Sequence, residues 1–416
     1  MNKFLAYQCS ICGQGYKPDE VTYVCPKDSG VLDVVLDFEA IKKTTGPRDI
    51  QISQDFSIWR YLPVLPVMDP GHRGTPLRSV GWTPVYSPPE LAQSLKMARL
   101  WIKDESSNPT ASFKDRASAV LVARAQEIGA SVIVTASTGN AGAALAGMAA
   151  AAGARAVIFA PKTAPPAKVA QLRVFGASVF LVDGTYDDAV ELSRHAADEF
   201  GWYCRNTGYN PFTAEGKKTA AMEIWEQVIA TQKMDQPLSV FVSVGDGNII
   251  SGIHKGFKDL LALNWIEEMP RLFGVQAEGS ASIANAFESG KEEIKSVEAK
   301  TIADSISVDL PSDGLRAVRA ATHTRGAYVK VTDEAILSAI PQLGKVGIFA
   351  EPAGAAAFAG MRKALESGLI EVGDPVLVLN TGSGLKDVAA ARKAAGEAPV
   401  IEPSLSALKR ALEVQH

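Results

Sequence analysis

The chain has 416 residues, 47% of them hydrophobic and 21% charged, with a net charge of −4, the composition of a globular protein of about two to three domains. Disorder over most of the chain and a small disulfide-stapled scaffold are excluded, and the acidic balance argues against nucleic acid or an anionic membrane as the main partner. Four cysteines and five histidines are few ligands for a catalytic metal cage.

Residues 1–40 stand apart. Cys9-x2-Cys12-x12-Cys25-x2-Asp28 has the spacing of a zinc ribbon whose last cysteine is replaced by a carboxylate. Three thiolates and a carboxylate can hold a structural zinc; a ribbon that kept its shape without metal is the alternative. The segment after Met1 has no apolar run of signal-peptide length, and Cys204 is far from the other cysteines. A reduced, cytoplasmic setting is therefore expected. Residues 41–79 are Pro-rich and aperiodic, and read as an extended arm wrapping a larger body.

A regular pattern begins at residue 100. Strands are expected at 100–103, 131–136, 155–160, 178–182 and 202–205, with helices at 112–128, 140–152, 165–175 and 186–200 between them. The alternation continues with a helix at 214–229, a strand at 239–244, a helix at 248–263 and a strand at 272–276. After an irregular link at 302–308 come helices at 333–343 and 353–366 and a strand at 375–379. An amphipathic helix at 401–416 could dock in a dimer. Such alternation implies parallel sheets with right-handed crossovers. The expected fold is α/β, with two parallel sheets and a small N-terminal appendage. The low-polarity run at 141–154 is too short to span a bilayer.

Ligands of such sheets bind where strands lead into helices, and four such loops are notable. Asn108–Arg116 carries Lys114 near a helix start; a partly desolvated lysine there can form a Schiff base. Ser137, Thr138, Gly139 and Asn140 offer hydroxyls and N–H groups at a helix N-terminus, as a carboxylate requires. Gly245, Asp246, Gly247 and Asn248 join a strand to a helix with the backbone freedom to approach a phosphate, but the loop is neither a Walker loop nor a Rossmann fingerprint. Thr381 and Ser383 supply hydroxyls after the last strand. Each loop alone reads equally well as a capped turn. Together, an amine, a carboxylate site, a phosphate site and a hydroxyl are what pyridoxal phosphate and an amino acid need.

The strings NPTASFKDR (108–116), STGN (137–140), NPFTAEGKKT (210–219), GDGN (245–248), EPA (351–353) and TGSGLKD (381–387) carry a resemblance over about 280 residues. The chain resembles the fold-type II pyridoxal-phosphate enzymes, and among them the threonine synthases. The resemblance implies a pyridoxal-phosphate-dependent lyase of amino-acid biosynthesis, a homodimer acting on a small amino acid. Its large cofactor-binding domain would comprise 41–116 and 212–416, and its small mobile domain 117–211. It implies Lys114 as Schiff-base lysine and proton-transfer base, and Asn140 at the cofactor's 3′ oxygen. Ser137, Thr138 and Gly139 would hold the substrate carboxylate, residues 245–248 the cofactor phosphate, and Thr381 or Ser383 would face the ring nitrogen.

The implied reaction is O-phosphohomoserine and water to threonine and phosphate. The sequence departs from the family where an arginine is common: Thr213 stands there, and IADSISVDLP (302–311) replaces another family stretch. Losing a bidentate arginine at a phosphate is not conservative. Lys217, Lys218, Arg316, Arg319 and His323 are the candidate replacements. A serine or threonine dehydratase, or another β-elimination or β-replacement enzyme, is the competing expectation. A non-catalytic ligand sensor is a third class, which the presence of Lys114 argues against.

Overall fold

The computed structural model describes residues 3–414 and arranges them around three sheets. In the first, β1 (Phe4–Cys9) pairs antiparallel with β2 (Gly15–Tyr16) and β3 (Leu32–Leu36). Alternate residues Leu32, Val34 and Leu36 are buried, the period of a strand with one covered face. The chain continues through β4 (Val85–Tyr86) and β5 (Arg99–Asp104). Next, β6 (Val132–Ala136), β7 (Arg155–Pro161), β8 (Ser178–Val182) and β9 (Tyr203–Cys204) form a parallel sheet in the order β8-β7-β6-β9. Last come β10 (Ser239–Ser243), β11 (Arg271–Ala277), β12 (Ala327–Val331) and β13 (Pro375–Asn380). They complete a six-stranded sheet in the order β12-β11-β10-β13-β5-β4, parallel except for the antiparallel edge β4. Every residue of β10 and β13 is buried, as expected of strands covered by helices on both faces.

The α/β expectation holds, and most helices lie within two residues of their expected ends. The helix expected at 214–229 is instead two short helices, Phe212–Lys217 and Thr219–Ile224, followed by a π-helical turn Trp225–Ile229. That turn explains residues 41–79. They are not an extended arm but two short helices and two 3-10 segments, Ile58–Val64 and Pro76–Ser79, that belong to the core. Ile58, Trp59, Tyr61 and Val64 are buried. Arg60 Nη2 and Tyr61 Oη donate to Glu226 of the π turn at 2.5 and 2.6 Å, and the Arg60 guanidinium lies 4.0 Å from the Trp82 ring centroid. A three-residue helical repeat leaves no 3.6 or 2.0 period to read.

Helices Ser282–Glu288 and Gly314–His323 and strand β12 were not expected. The C-terminal helix spans Leu405–Val414; the expected ends Gln415 and His416, like Met1 and Asn2, lie outside the described residues. Its Leu405, Leu408 and Leu412 are exposed. No helix among the described residues is long and apolar enough to cross a membrane.

Candidate active site

Lys114 opens the helix Lys114–Glu127. The turn before it is fixed by residues distant in sequence. Phe113 N–H donates to Thr381 O at 2.9 Å, Ser383 N–H to Ala111 O at 3.1 Å, and Glu351 N–H to Gly382 O at 3.0 Å. Lys114, Glu351, Thr381 and Ser383 are thus gathered beyond the carboxyl ends of β5 and β13, where open α/β sheets hold ligands. Ala111 takes a left-handed φ of 62°, backbone strain of the kind that collects at such sites. Behind the turn, Asp115 accepts the Thr110 N–H at 2.6 Å.

The Lys114 side chain is largely enclosed and makes no ion pair among the described residues. Burial pulls its pKa below the usual lysine value. The Glu351 carboxylate opposes this, the Arg205 guanidinium adds to it, and Asp246 opposes it. An amine with a lowered pKa is a better nucleophile and base at neutral pH.

Residues 137–140 connect β6 to the helix Asn140–Ala151. Asn140 reaches across from the small sheet to the large one, donating to Glu351 Oε1 at 2.7 Å and Ser305 Oγ at 3.4 Å. Glu351 is 3% exposed, and burial raises its pKa. Thr138, Gly139, Asn140 and Glu351 line a cavity of about 120 Å³ between the two sheets. Two pairs bridge its mouth: Lys168 to Asp304 at 2.5 Å and Lys386 to Gln171 at 3.3 Å. Ser137, Lys114, the 245–248 loop, Thr381 and Ser383 do not line this cavity.

The 245–248 loop joins β10 to the helix Asn248–Ala262. A Cβ on Gly245 would meet Ile306 Cα at 2.7 Å, and one on Gly247, at φ 88°, would meet Asp313 O at 2.6 Å. Only glycine fits either position. The polar side chains of the loop already have protein partners. Asp246 accepts Ser312 N–H and Oγ–H at 2.7 Å, and burial pushes its pKa up to about 6. Asn248 Oδ1 accepts from Lys217 Nζ at 2.6 Å and Thr213 Oγ1 at 3.2 Å. Asn248 Nδ2 donates to Asp313 at 2.7 Å; Asp313 is held by Arg316, which also reaches Asp33 on β3 at 2.5 Å. The loop therefore offers an anion its backbone N–H groups at a helix N-terminus, not these side chains.

The family follows from comparison with known proteins. Residues 77–382 match the model of the family described as pyridoxal-phosphate dependent enzyme. The chain belongs to that family. This pyridoxal-phosphate enzyme is 37% identical to a threonine synthase of Methanocaldococcus jannaschii, over 98% of this chain and 99% of that protein. It is 36% identical to a threonine synthase of Methanosarcina acetivorans, over 97% and 98%. The processed form of threonine deaminase isoform 2 from Solanum lycopersicum superposes with a TM-score of 0.66, covering 81% of this chain and 92% of that one at 23% identity, a likeness of fold.

The residues present fit the cofactor. Lys114 supplies an enclosed amine without a salt bridge. The loop at 245–248 is a cradle that side chains would fill, and Ser112 Oγ, fully buried two residues before Lys114, has no hydrogen-bond partner among the described residues. Bound pyridoxal phosphate supplies an electron sink for the carbon that loses its proton. Glu351, Arg205 and the bridging pair Lys168–Asp304 had no role in the sequence expectation. Only the string EPA pointed near Glu351, and nothing local marked Arg205.

The N-terminal knuckle forms a second candidate site. Ligand atoms of Cys9, Cys12, Cys25 and Asp28 all lie within 4.8 Å of one another. Cys12 and Cys25 Sγ are 3.8 Å apart, the edge of a tetrahedron with zinc–sulfur bonds of about 2.3 Å. Ile11 N–H donates to Cys9 Sγ at 3.3 Å, the kind of outer contact that orients a thiolate ligand.

Proposed function

We propose that this enzyme carries out elimination or replacement at the side chain of a small amino acid. The observation that carries this reading is Lys114, a desolvated amine that makes no ion pair among the described residues, at the carboxyl end of the large sheet, whose β10 leads into a glycine cradle. Lys114 takes the proton from the substrate's α-carbon and returns it. Hydroxyls of Ser137 and Thr138 with the Gly139 N–H hold the substrate carboxylate. Asn140, which donates to Glu351, would meet the cofactor's 3′ oxygen, and backbone N–H groups of 245–248 would hold its phosphate. Thr381 or Ser383 supplies the hydroxyl that faces the ring nitrogen; Ser383 Oγ accepts from Leu385 N–H at 3.3 Å, which leaves its own proton free to donate. Residues 117–211 close over the substrate through Lys168 and Gln171, excluding water.

Full-length identity to threonine synthases supports O-phosphohomoserine as substrate, with phosphate leaving and water adding to give threonine. Thr213 at the position of a common family arginine favours a second reading, dehydration of serine or threonine to a 2-oxo acid and ammonia. Incubating the holoenzyme with O-phosphohomoserine, threonine and serine, and assaying phosphate and 2-oxo acid, separates them. Phosphate with threonine from the first substrate is the expected result. A 2-oxo acid without phosphate establishes the dehydratase, and no product from any of them defeats both.

The knuckle is assigned to a structural zinc. Purified protein is expected to carry one zinc per chain by elemental analysis, and Cys25→Ser to lose it while melting at a lower temperature. Metal-free wild type with an unchanged melting temperature would identify a ribbon that stands without metal.

A further inference from the structure

Two buried cations near Lys114 have no ion-pair partner among the described residues. Arg205 follows β9, its N–H bonded to Val134 O at 2.8 Å, which puts it beside the end of the strand that leads into Ser137. It is fully buried. Its Nε lies 3.4 Å from Ser118 Oγ and its Nη1 2.7 Å from Thr207 Oγ1, while its Nη2 is buried without any partner. Ser118 is one helical turn after Lys114, so Arg205 packs on the same helix face as the lysine.

Lys217 approaches from another side. A Cβ on the preceding Gly216 would lie 2.2 Å from Arg116 O, so its helix crosses the first turn of the Lys114 helix at backbone contact. Lys217 is 2% exposed, and its recorded hydrogen bond is to the neutral amide of Asn248. The other candidate replacements for the missing arginine are occupied or remote. Lys218 is paired with Glu215 at 2.5 Å and Asp259 at 2.9 Å. Arg316 is paired with Asp313 and Asp33, and Arg319 with Glu292. His323 is exposed.

An unpaired buried charge is costly unless a ligand neutralises it. Of the nearby acids, Asp313 is claimed by Arg316 and Asp246 by Ser312. We infer that Arg205 and Lys217 form an anion subsite, adjoining the 245–248 cradle through Asn248, that grips a phosphoryl group at the distal end of the substrate side chain. This deepens the proposed function and rests on it. Thr213 Oγ1, sharing Asn248 Oδ1 with Lys217, fixes the lysine where a longer side chain at 213 would displace it. Burial and the neighbouring charges of Arg205 and Lys114 depress the Lys217 pKa well below the usual value, a cost of the charged form that a bound dianion offsets.

The test is calorimetric titration of the holoenzyme with inorganic phosphate, the cradle being filled by the cofactor's own phosphate. Wild type is expected to bind. Arg205→Gln and Lys217→Gln should each weaken binding about tenfold or more, and Lys217→Arg should restore most of it. The visible absorbance of the cofactor should persist in all variants. Arg205→Lys, which keeps the charge, and melting curves distinguish lost binding from lost folding. Equal phosphate affinity in wild type and both Gln variants would overturn the subsite. So would loss of cofactor from both Gln variants with normal melting, because the two cations would then serve the cofactor's phosphate. Phosphate binding that depends on both residues in an enzyme that turns over none of the three amino acids supports the subsite and defeats the function proposed above.

Discussion

Lys114→Ala is expected to lower kcat by about 10³-fold or more, because the proposed function gives this one residue both the covalent attachment and the proton transfer. The variant should fold, since Lys114 makes no ion pair among the described residues and its helix is anchored by Asp115 and Arg116. Product assays and the cofactor's visible band give the readout together: turnover disappears, and the band of the lysine-bound cofactor changes while melting is preserved. Lys114→Arg should be equally inactive, because a guanidinium does not shed its proton in the working range. The lowered pKa of Lys114 has a sign that can be checked. Removing the nearby Arg205 charge should raise that pKa, moving the alkaline part of the pH–rate profile upward. An active Lys114→Ala enzyme would remove the lysine from the mechanism.

The second large effect is on stability. Lys103, Glu105, Arg116 and Glu223 form a network with every side chain fully buried. Arg116 donates to Glu105 at 2.7 Å and Glu223 at 2.5 Å, and Lys103 reaches Glu223 at 2.8 Å. Arg116→Met leaves two carboxylates with one lysine and should cost about 3–5 kcal/mol, read as a fall in the urea midpoint. Burial pushes the Glu223 carboxyl up, but Arg116 and Lys103 override it and hold its pKa below the ordinary range. A depressed carboxyl adds stability above its unfolded pKa of about 4.3, and that stability is lost as the pH falls toward the folded value. The gap between wild type and Arg116→Met should therefore narrow below about pH 4. An unchanged midpoint at neutral pH would mean that the network is dispensable.

The sheets of the repeating α/β part were legible because buried parallel strands are short apolar runs between helices with clear ends. Segments whose pattern is set by tertiary partners were not. The turn of Ile58–Val64 has a three-residue repeat and is pinned by Glu226, more than 160 residues away. In helix Gly314–His323 the buried Arg316 pairs with Asp33 on β3 and with Asp313 at the helix's own start, so a charged position belongs to its covered face. At the site, Lys114 was readable from a specific string, and loops 137–140 and 245–248 from glycines between a strand and a helix. The partners of Asp246 and Asn248 were not, because they come from residues 213, 217, 312 and 313. Five cations were equal candidates on paper; ion pairing in space eliminates three and exposure a fourth. Arg205 went unnoticed because an arginine becomes unusual only when its burial and missing partner are known.

The N-terminal sheet and its connecting loop touch each element proposed to carry the anion subsite. Tyr23 Oη accepts the Cys204 N–H at 2.9 Å, immediately before Arg205. Phe4 meets the Phe212 ring edge-on at 5.9 Å, on the helix of Lys217. Asp33 holds Arg316, whose partner Asp313 holds Asn248. The first forty residues are thus no detachable tag: a chain trimmed to its catalytic sheets would lose the backing wall of its own specificity, and drift in the knuckle would register as a change of diet.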